Sequence, residues 1–281
     1  MCACRLIVHA DDFGISEPVN DGILRAHREG IVTSTSIMAT GSAFQRAITL
    51  SRSAAELDIG IHLTLVEEAP LSPAENIPSL VTERGRMFDH ATNFMKRYLQ
   101  GRINLGDVRK ELDAQIERVV TQGVRVSHLD SHQHLHVLPG IRRIVFDLAR
   151  KYGIRAVRVP RERLHAYMLC ERAGYARVLQ RAVLNAFCAI GGGWEIGGAD
   201  NFVGFHFGGR LNGENLRILL DRLPRSGTCE LMCHPGLPNT AERYSHWHYN
   251  WGAELSALTE PEIQDLIRRM GIRLISYRDL G

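Results

Sequence analysis

Metal-ligating and ionisable side chains recur where short apolar runs end. Cys4–Ala10 leads straight into Asp11-Asp12, and Ile59–Leu65 carries His62. Val126–Leu129 leads into Asp130-Ser131-His132-Gln133-His134-Leu135-His136, Ile154–Val159 carries Arg158, and Cys229–Cys233 runs into His234-Pro235-Gly236. Each has an ordinary reading on its own. A lone His in an apolar strand is usually a hydrogen-bonded core residue, Asp-Asp-Phe-Gly can be a turn, and a His-rich tract can be a solvated loop. Five such coincidences at corresponding places point to one shared site. Successive strand side chains point opposite ways, so one carboxylate of the Asp pair can ligate a metal while the other faces a substrate as a base. An Asp with two His is a mixed O/N/N set that leaves coordination positions open, as catalytic sites do, and Zn, Mg, Mn, Ni or Co can occupy it. Such an ion makes hydroxide available near neutral pH and polarises a carbonyl. The sequence has no G-x-S-x-G elbow and no Walker or Rossmann glycine pattern after a strand, which argues against serine nucleophiles and nucleotide cofactors.

Bringing these strand ends together requires a parallel sheet, and the pattern supplies one. The chain has 281 residues, 44% hydrophobic and 23% charged, near the globular average. Its net charge of +3 is spread along the chain, so nucleic acid is not implied. Strands are expected at Cys4–Ala10, Thr33–Thr40, Ile59–Leu65, Val126–Leu129, Ile154–Val159, Val203–Phe207, Cys229–Cys233 and Ile272–Tyr277. Between them lie helix-period segments. One follows Ser16 with Pro18 in its first turn, others cover Ala43–Leu57, the Val108–Val120 stretch, the stretch opened by Pro139, and Asn212–Leu223. Thr259-Glu260-Pro261-Glu262 reads as a capping box opening the last helix.

The fold class expected is α/β, an irregular, TIM-like (β/α) barrel forming a single domain over residues 1–281; a doubly wound open sheet is the alternative. In either, ligands bind at the carboxyl ends of the strands. Two segments, 66–106 and 163–200, depart from a minimal barrel and read as lid-forming insertions. Cys2, Cys4, Cys170, Cys188, Cys229 and Cys233 form no C-x-x-C pair, and the start lacks a signal-peptide pattern. A cytoplasmic protein is therefore expected, with no transmembrane segment, and with peripheral membrane contact and homo-oligomerisation left open.

The sequence resembles the YdjC-like carbohydrate deacetylases. The matching blocks are His-Ala-Asp-Asp-Phe-Gly-Ile-Ser (9–16), Gly-Ile-His-Leu-Thr-Leu (60–65), Asp-Ser-His-Gln-His-Leu-His (130–136), Val-Arg-Val-Pro (157–160), Glu-Leu-Met-Cys-His-Pro-Gly (230–236) and Gly-Ile-Arg-Leu-Ile-Ser-Tyr (271–277). They come in the family's order and span nearly the whole chain. The resemblance implies a metal-dependent hydrolase that removes acetyl from an N-acetylated amino sugar, either an oligosaccharide or a glycolipid such as a glucosaminyl hopanoid. It implies one divalent metal ion, with Mg or Zn foremost, held by Asp12, His62 and His132. It also implies Asp11 as general base, His234 as general acid and Arg158 as the residue that orients one of these groups. His9 departs from the small polar residue expected at its position.

Rival readings are a hydrolase of another amide or ester using the same metal site, and a catalytically silent sugar- or metal-binding protein. Trp247, Tyr249 and Trp251 follow the strand that carries His234 and could stack on sugar faces. If the substrate carries a lipid, Phe88, Phe94 and Tyr98 are expected along the entrance. Asp11 and His234 should work in opposite protonation states, with a carboxylate such as Asp130 raising His234. His134, His136 and His206 stand in reserve as the acid.

Overall fold

Strand β1 (Arg5–Phe13) is the centre of an all-parallel sheet in the computed structural model, which describes residues 4–169, 174–190, 193–238 and 242–280. The strands are β2 (Ser34–Ile37), β3 (Asp58–Leu63), β4 (Val126–Ser131), β5 (Ala156–Val157), β6 (Asn201–Val203), β7 (Thr228–Cys233) and β8 (Arg273–Ile275). Their order is β5-β4-β3-β2-β1-β7-β6, and β8 pairs with Arg5–Ile7 at the start of β1. Every one of these pairings is parallel, so each strand needs cover on both faces and reads as a nearly continuous apolar run. A single parallel bridge, Glu162 to Phe202, draws the β5 and β6 edges together. The expected TIM-like barrel is thereby corrected to a curved half-barrel. A regular barrel would insert β8 between β7 and β1, whereas here β7 pairs with β1 directly.

Helices α1 (Glu17–Arg28), α2 (Phe44–Ser51), α3 (Ala91–Leu99), α4 (Leu105–Val120), α5 (Pro139–Tyr152), α6 (Gly174–Ala189), α7 (Gly213–Leu220), α8 (Trp251–Thr259) and α9 (Pro261–Arg269) accompany the sheet. Val19 and Ile23 of α1, Leu112 and Ile116 of α4, Ile141 and Val145 of α5 and Leu255 and Leu258 of α8 join one apolar core. Their i, i+3, i+4 spacing turns that stripe inward.

Several expected elements end early for local reasons. α2 stops at Ser51 because the Ser51 and Ser53 hydroxyls bond back to the Ile48 and Leu50 carbonyls. The strand expected at Val203–Phe207 lies at Asn201–Val203, because Gly204 takes φ +107 and the chain turns. There the buried Glu162 carboxylate accepts the Gly204 and His206 N–H groups. The capping box at Thr259 does not form. Thr259 Oγ1 bonds the Leu255 carbonyl at the end of α8, a helix absent from the sequence reading, and Glu260 caps α9. Such a box does close the chain, at Ser276 and Asp279, and it cuts the final strand short.

Segment 66–106 is fastened to α4, where Glu111 accepts the Leu71 and Ser72 N–H groups and Asp107 accepts from Ser79. Phe94 is wholly buried (0%) and Phe88 is buried too, so both serve the core rather than the entrance expected of them. The amphipathic turn of α3 makes this so, pointing Phe94 inward while Ala91, Thr92 and Met95 face outward. Segment 163–200 contributes α6 and its exposed apolar face. Cys2, Cys170 and part of the Gly191–Gly193 run lie outside the described residues, while Cys4, Cys188, Cys229 and Cys233 are buried and free.

Two glycines set the distances between elements. Gly22 of α1 lies so close to Gly236 that a Cβ there would come within 2.4 Å of the Gly236 Cα, which seats the turn after His234 against α1. Gly60 of β3 faces the His128 ring, which a Cβ would meet at 2.4 Å. The β3–β4 register shifts between Ile59 and Ile61, and the extra residue of β4 gives His128 its place. That ring is also held by Ser127 (2.8 Å) and His9 (2.8 Å), so it cannot yield. Gly60→Ala should therefore cost about 2 kcal/mol of stability by overpacking, read as a lower urea midpoint. His128→Ala in the same chain should recover part of it, whereas an unchanged midpoint for Gly60→Ala would show that the strands separate freely.

Candidate metal and catalytic site

The residues singled out by the sequence meet at the carboxyl end of the sheet. β1 carries Asp11 and Asp12, β3 His62, and β4 Asp130, with His132 next after its end; Arg158 follows β5 and His234 follows β7. A bulge makes room for the Asp pair: Ala10 pairs with Thr35 but Phe13 with Ile37, leaving one extra residue in β1. Asp12 takes φ +70 there, uncommon for a residue with a side chain. The two carboxylates consequently diverge, Asp11 toward Arg158 and Asp12 toward the histidines.

Asp12, His62 and His132 each offer a donor atom, all within 4.8 Å of one another, and all three residues are buried. Asp12 Oδ1 lies 3.3 Å from His62 Nε2 and 3.2 Å from His132 Nδ1. His62 Nδ1 is held by Asp130 Oδ1 at 2.9 Å, a carboxylate–imidazole pairing of the kind that orients metal-bound histidines. Asp130 also accepts from Ser36 Oγ (2.9 Å) and Arg158 Nη1 (2.8 Å). Burial opposes charge on His62, but Asp130 and the hydrogen bonds to Asp12 and Asp130 outweigh it and push the imidazole up to about 10. His132 is pushed up to about 9 against burial by its bonds to Asp12 and Glu67. Burial would also raise Asp12, yet His132 and His62 hold it well below the carboxylate range. This is a buried pocket that draws positive charge, and its hard oxygen and two imidazoles fit a divalent ion.

Arg158 is fully buried (0%) and surrounded by carboxylates. Nη1 and Nη2 each donate to one Asp11 oxygen at 2.7 Å, and Nε donates to Glu230 at 2.8 Å. Burial would raise Asp11, but Arg158 beside it holds the carboxyl well below its ordinary value. His9, the departure at this position, places Nδ1 2.8 Å from Asp11 Oδ1. Glu230 in turn accepts from Tyr277.

Asp11, Asp12, His62, His132 and His234 line one cleft of about 40 Å³, with His134, Arg177, Phe205 and Tyr249 among its other walls. Burial lowers the His234 imidazole, and Asp11 and Asp12 offset only part of that. Asp130, expected to raise His234, is instead taken up by His62 and Arg158. Its backbone N–H donates to Glu254 (2.5 Å), and its Nδ1 has no hydrogen-bond partner among the described residues. Burial pushes Glu254 up to about 8 although it also accepts the Leu211 N–H.

Of the reserve histidines, His134 lines the cleft with Nδ1 unpartnered, while His136 is held by Ser131 and the Arg158 carbonyl. His206 packs against Phe207 and Tyr167 and is not among the residues that line the cleft. Trp247 lies 5.1 Å from the His132 ring and Tyr249 4.8 Å from the His234 ring, centroid to centroid. Trp251 is buried on the face of α8 that it shares with Glu254, Leu255 and Leu258, with its ring centroid 6.5 Å from that of His234. The sequence reading missed Glu67, Glu230 and Glu254. A signal existed for two of them: Glu230 and Glu254 are charged residues inside otherwise apolar stretches, where a carboxylate needs a partner.

Beside the cleft, and sharing His134, Arg177, Phe205 and Tyr249 with it, runs a groove of about 720 Å³. Leu179 and Val183 of α6, Met95 of α3, Leu135, Phe187 and Trp247 are among its lining residues. Leu179 and Val183 are 67% and 46% exposed there. No helix among the described residues is long and apolar enough to cross a membrane.

Known proteins are similar to this chain in sequence and fold. A solved structure from Enterococcus faecalis V583, provisionally described as a cellobiose-phosphate cleavage protein, superimposes with a TM-score of 0.78 over 100% of both chains at 27% identity. A family 4 carbohydrate esterase from Streptomyces lividans in complex with acetate matches 99% of this chain and 96% of its own at TM-score 0.50 and 9% identity, a likeness of fold alone. The carbohydrate deacetylase of Mus musculus is 33% identical, covering 98% of this chain and 94% of its own. The chitooligosaccharide deacetylase of Enterobacter sp. (strain 638) is 33% identical over 98% of each. The YdjC-like protein family model matches residues 5–269, and with these relatives it shows that the chain belongs to the YdjC-like family.

Proposed function

We propose that this protein is a metal-dependent hydrolase that removes the acetyl group from an N-acetylated amino sugar. The observation that carries the reading is the buried Asp12–His62–His132 donor set lying in one cleft with Asp11 and His234. Names of the relatives, carbohydrate and chitooligosaccharide deacetylases, support it. Asp12, His62 and His132 would hold the ion, and two imidazoles with one carboxylate favour Zn over Mg. When bound, a divalent cation there polarises the amide carbonyl and makes hydroxide available near neutral pH.

The chain's own groups do the rest. Asp11, kept ionised by Arg158, accepts the proton of the attacking water through a lone pair the guanidinium leaves unused. Arg158 is buried and acts by positioning Asp11. His234 takes a proton from solvent and passes it to the amine as the C–N bond breaks, and Asp11 returns its proton to solvent when acetate leaves. Trp247 and Tyr249 flank the cleft where a sugar ring would lie, and offer it faces for stacking.

The apolar groove favours a glycolipid over a free oligosaccharide, because a chitooligosaccharide has no hydrocarbon to cover Leu179 and Val183. In this reading the acetamido sugar occupies the cleft, and an apolar aglycone lies along α6.

Asp12→Ala, His62→Ala and His132→Ala should each lower the metal content of the purified protein by elemental analysis while far-UV circular dichroism stays near parental. Chelation should abolish acetate release, and full turnover in a verified metal-free preparation would contradict the metal's role. Leu179→Asp with Val183→Asp should raise KM for a hydrocarbon-bearing N-acetylglucosaminide by about tenfold, equivalent to roughly 1.4 kcal/mol, and leave a short chitooligosaccharide unaffected. Equal KM changes for both substrates would remove the groove from substrate binding.

A further inference from the structure

A second cluster of metal-ligating side chains stands at the mouth of the cleft. Glu67, His90 and His246 each offer a donor atom, all within 4.8 Å of one another. They come from separate parts of the chain: Glu67 lies beyond β3, His90 caps α3, and His246 lies in the turn Glu242–Trp247 beyond β7. Both histidines are exposed, with ring centroids 6.1 Å apart. Glu67 holds φ +70, a conformation that costs a side-chain-bearing residue free energy. These residues border a recess of about 200 Å³ that also includes Arg86, Asp89, Arg243 and Tyr244.

We infer that this recess is a second, exchangeable site for a transition-metal ion of the Zn class. Two imidazoles and one carboxylate are a set that Zn accepts, and their exposure leaves the remaining positions to water. The cationic neighbours do not forbid it. Arg243 is engaged by Glu68 (3.0 Å) and by the Glu67 carbonyl (2.8 Å), and Asp89 offsets Arg86 within the recess. An ion here would tie segment 66–106 to the loop after β7, the two sides of the entrance. It would also draw on the Glu67 carboxylate, whose Oε2 now lies 3.1 Å from His132 Nε2. The outer site and the cleft thus share one side chain.

The test is equilibrium dialysis of the untagged chain against Zn²⁺, with bound metal counted by elemental analysis. The chains compared are the parent, His90→Ala with His246→Ala, and His62→Ala. The double variant should lose one equivalent relative to the parent, and His62→Ala should retain the equivalent held outside the cleft. Single His246→Ala, which leaves the start of α3 untouched, should show the same loss and guards against a folding defect in the double variant. Because the count is relative to the parent, the result stands whether or not the cleft itself binds metal. Unchanged stoichiometry in the histidine variants overturns the site. So does stabilisation by inorganic phosphate without any Zn²⁺ loss, which would give the recess to an anion.

Discussion

One guanidinium, that of Arg158, ties together the interior of this site. It sits at the end of the short strand β5, wholly out of water, with Asp11, Asp130 and Glu230 within 2.8 Å. Isolated buried charges are too costly to keep, and removing one partner of such a set strands the others. The arrangement holds because every nitrogen of the fork has a carboxylate, while Ser36 donates to Asp130 and Tyr277 to Glu230. A planar, always-charged fork suits this geometry, and a lysine could not reproduce it. Through Asp130 the same fork borders His62, which Ser36 and Asp12 also hold.

The fold serves that cluster. A parallel sheet brings all its strand ends to one side, and the β1 bulge lets two consecutive carboxylates face the same cleft at different angles. A second irregularity, between β3 and β4, places the His128 ring where Gly60 has no side chain. Fixed spacing of β3 and β4 is also what keeps His62 and Asp130 in register. The strained residues, Asp12 and Glu67 among them, fall at the same end, as expected where structure is spent on a site rather than on stability.

Much of this was legible in the sequence because the strand-end rule converts a linear pattern into a place. Asp11, Asp12, His62, His132, Arg158 and His234 could be brought together without any contact information. The strand order could not, since apolar runs mark strands but not their neighbours, and β8 joins β1 through only three residues. Phe94 was misplaced because an aromatic beside a site and an aromatic behind it look alike in sequence; helix phase decides between them. Glu67 reaches His132 across 65 positions, a long-range contact that local pattern does not encode.

The central claim is that Arg158 acts on the chemistry by fixing Asp11, and leaves the ligand set to Asp12, His62 and His132. Arg158→Lys separates these, because it keeps a positive charge but cannot hold both Asp11 oxygens at once. Its kcat for acetate release and its metal content should be measured on the same preparation. The account predicts a fall in kcat of about a hundredfold from misplacement of the base, with metal content unchanged. A near-parental kcat with normal metal content would contradict it.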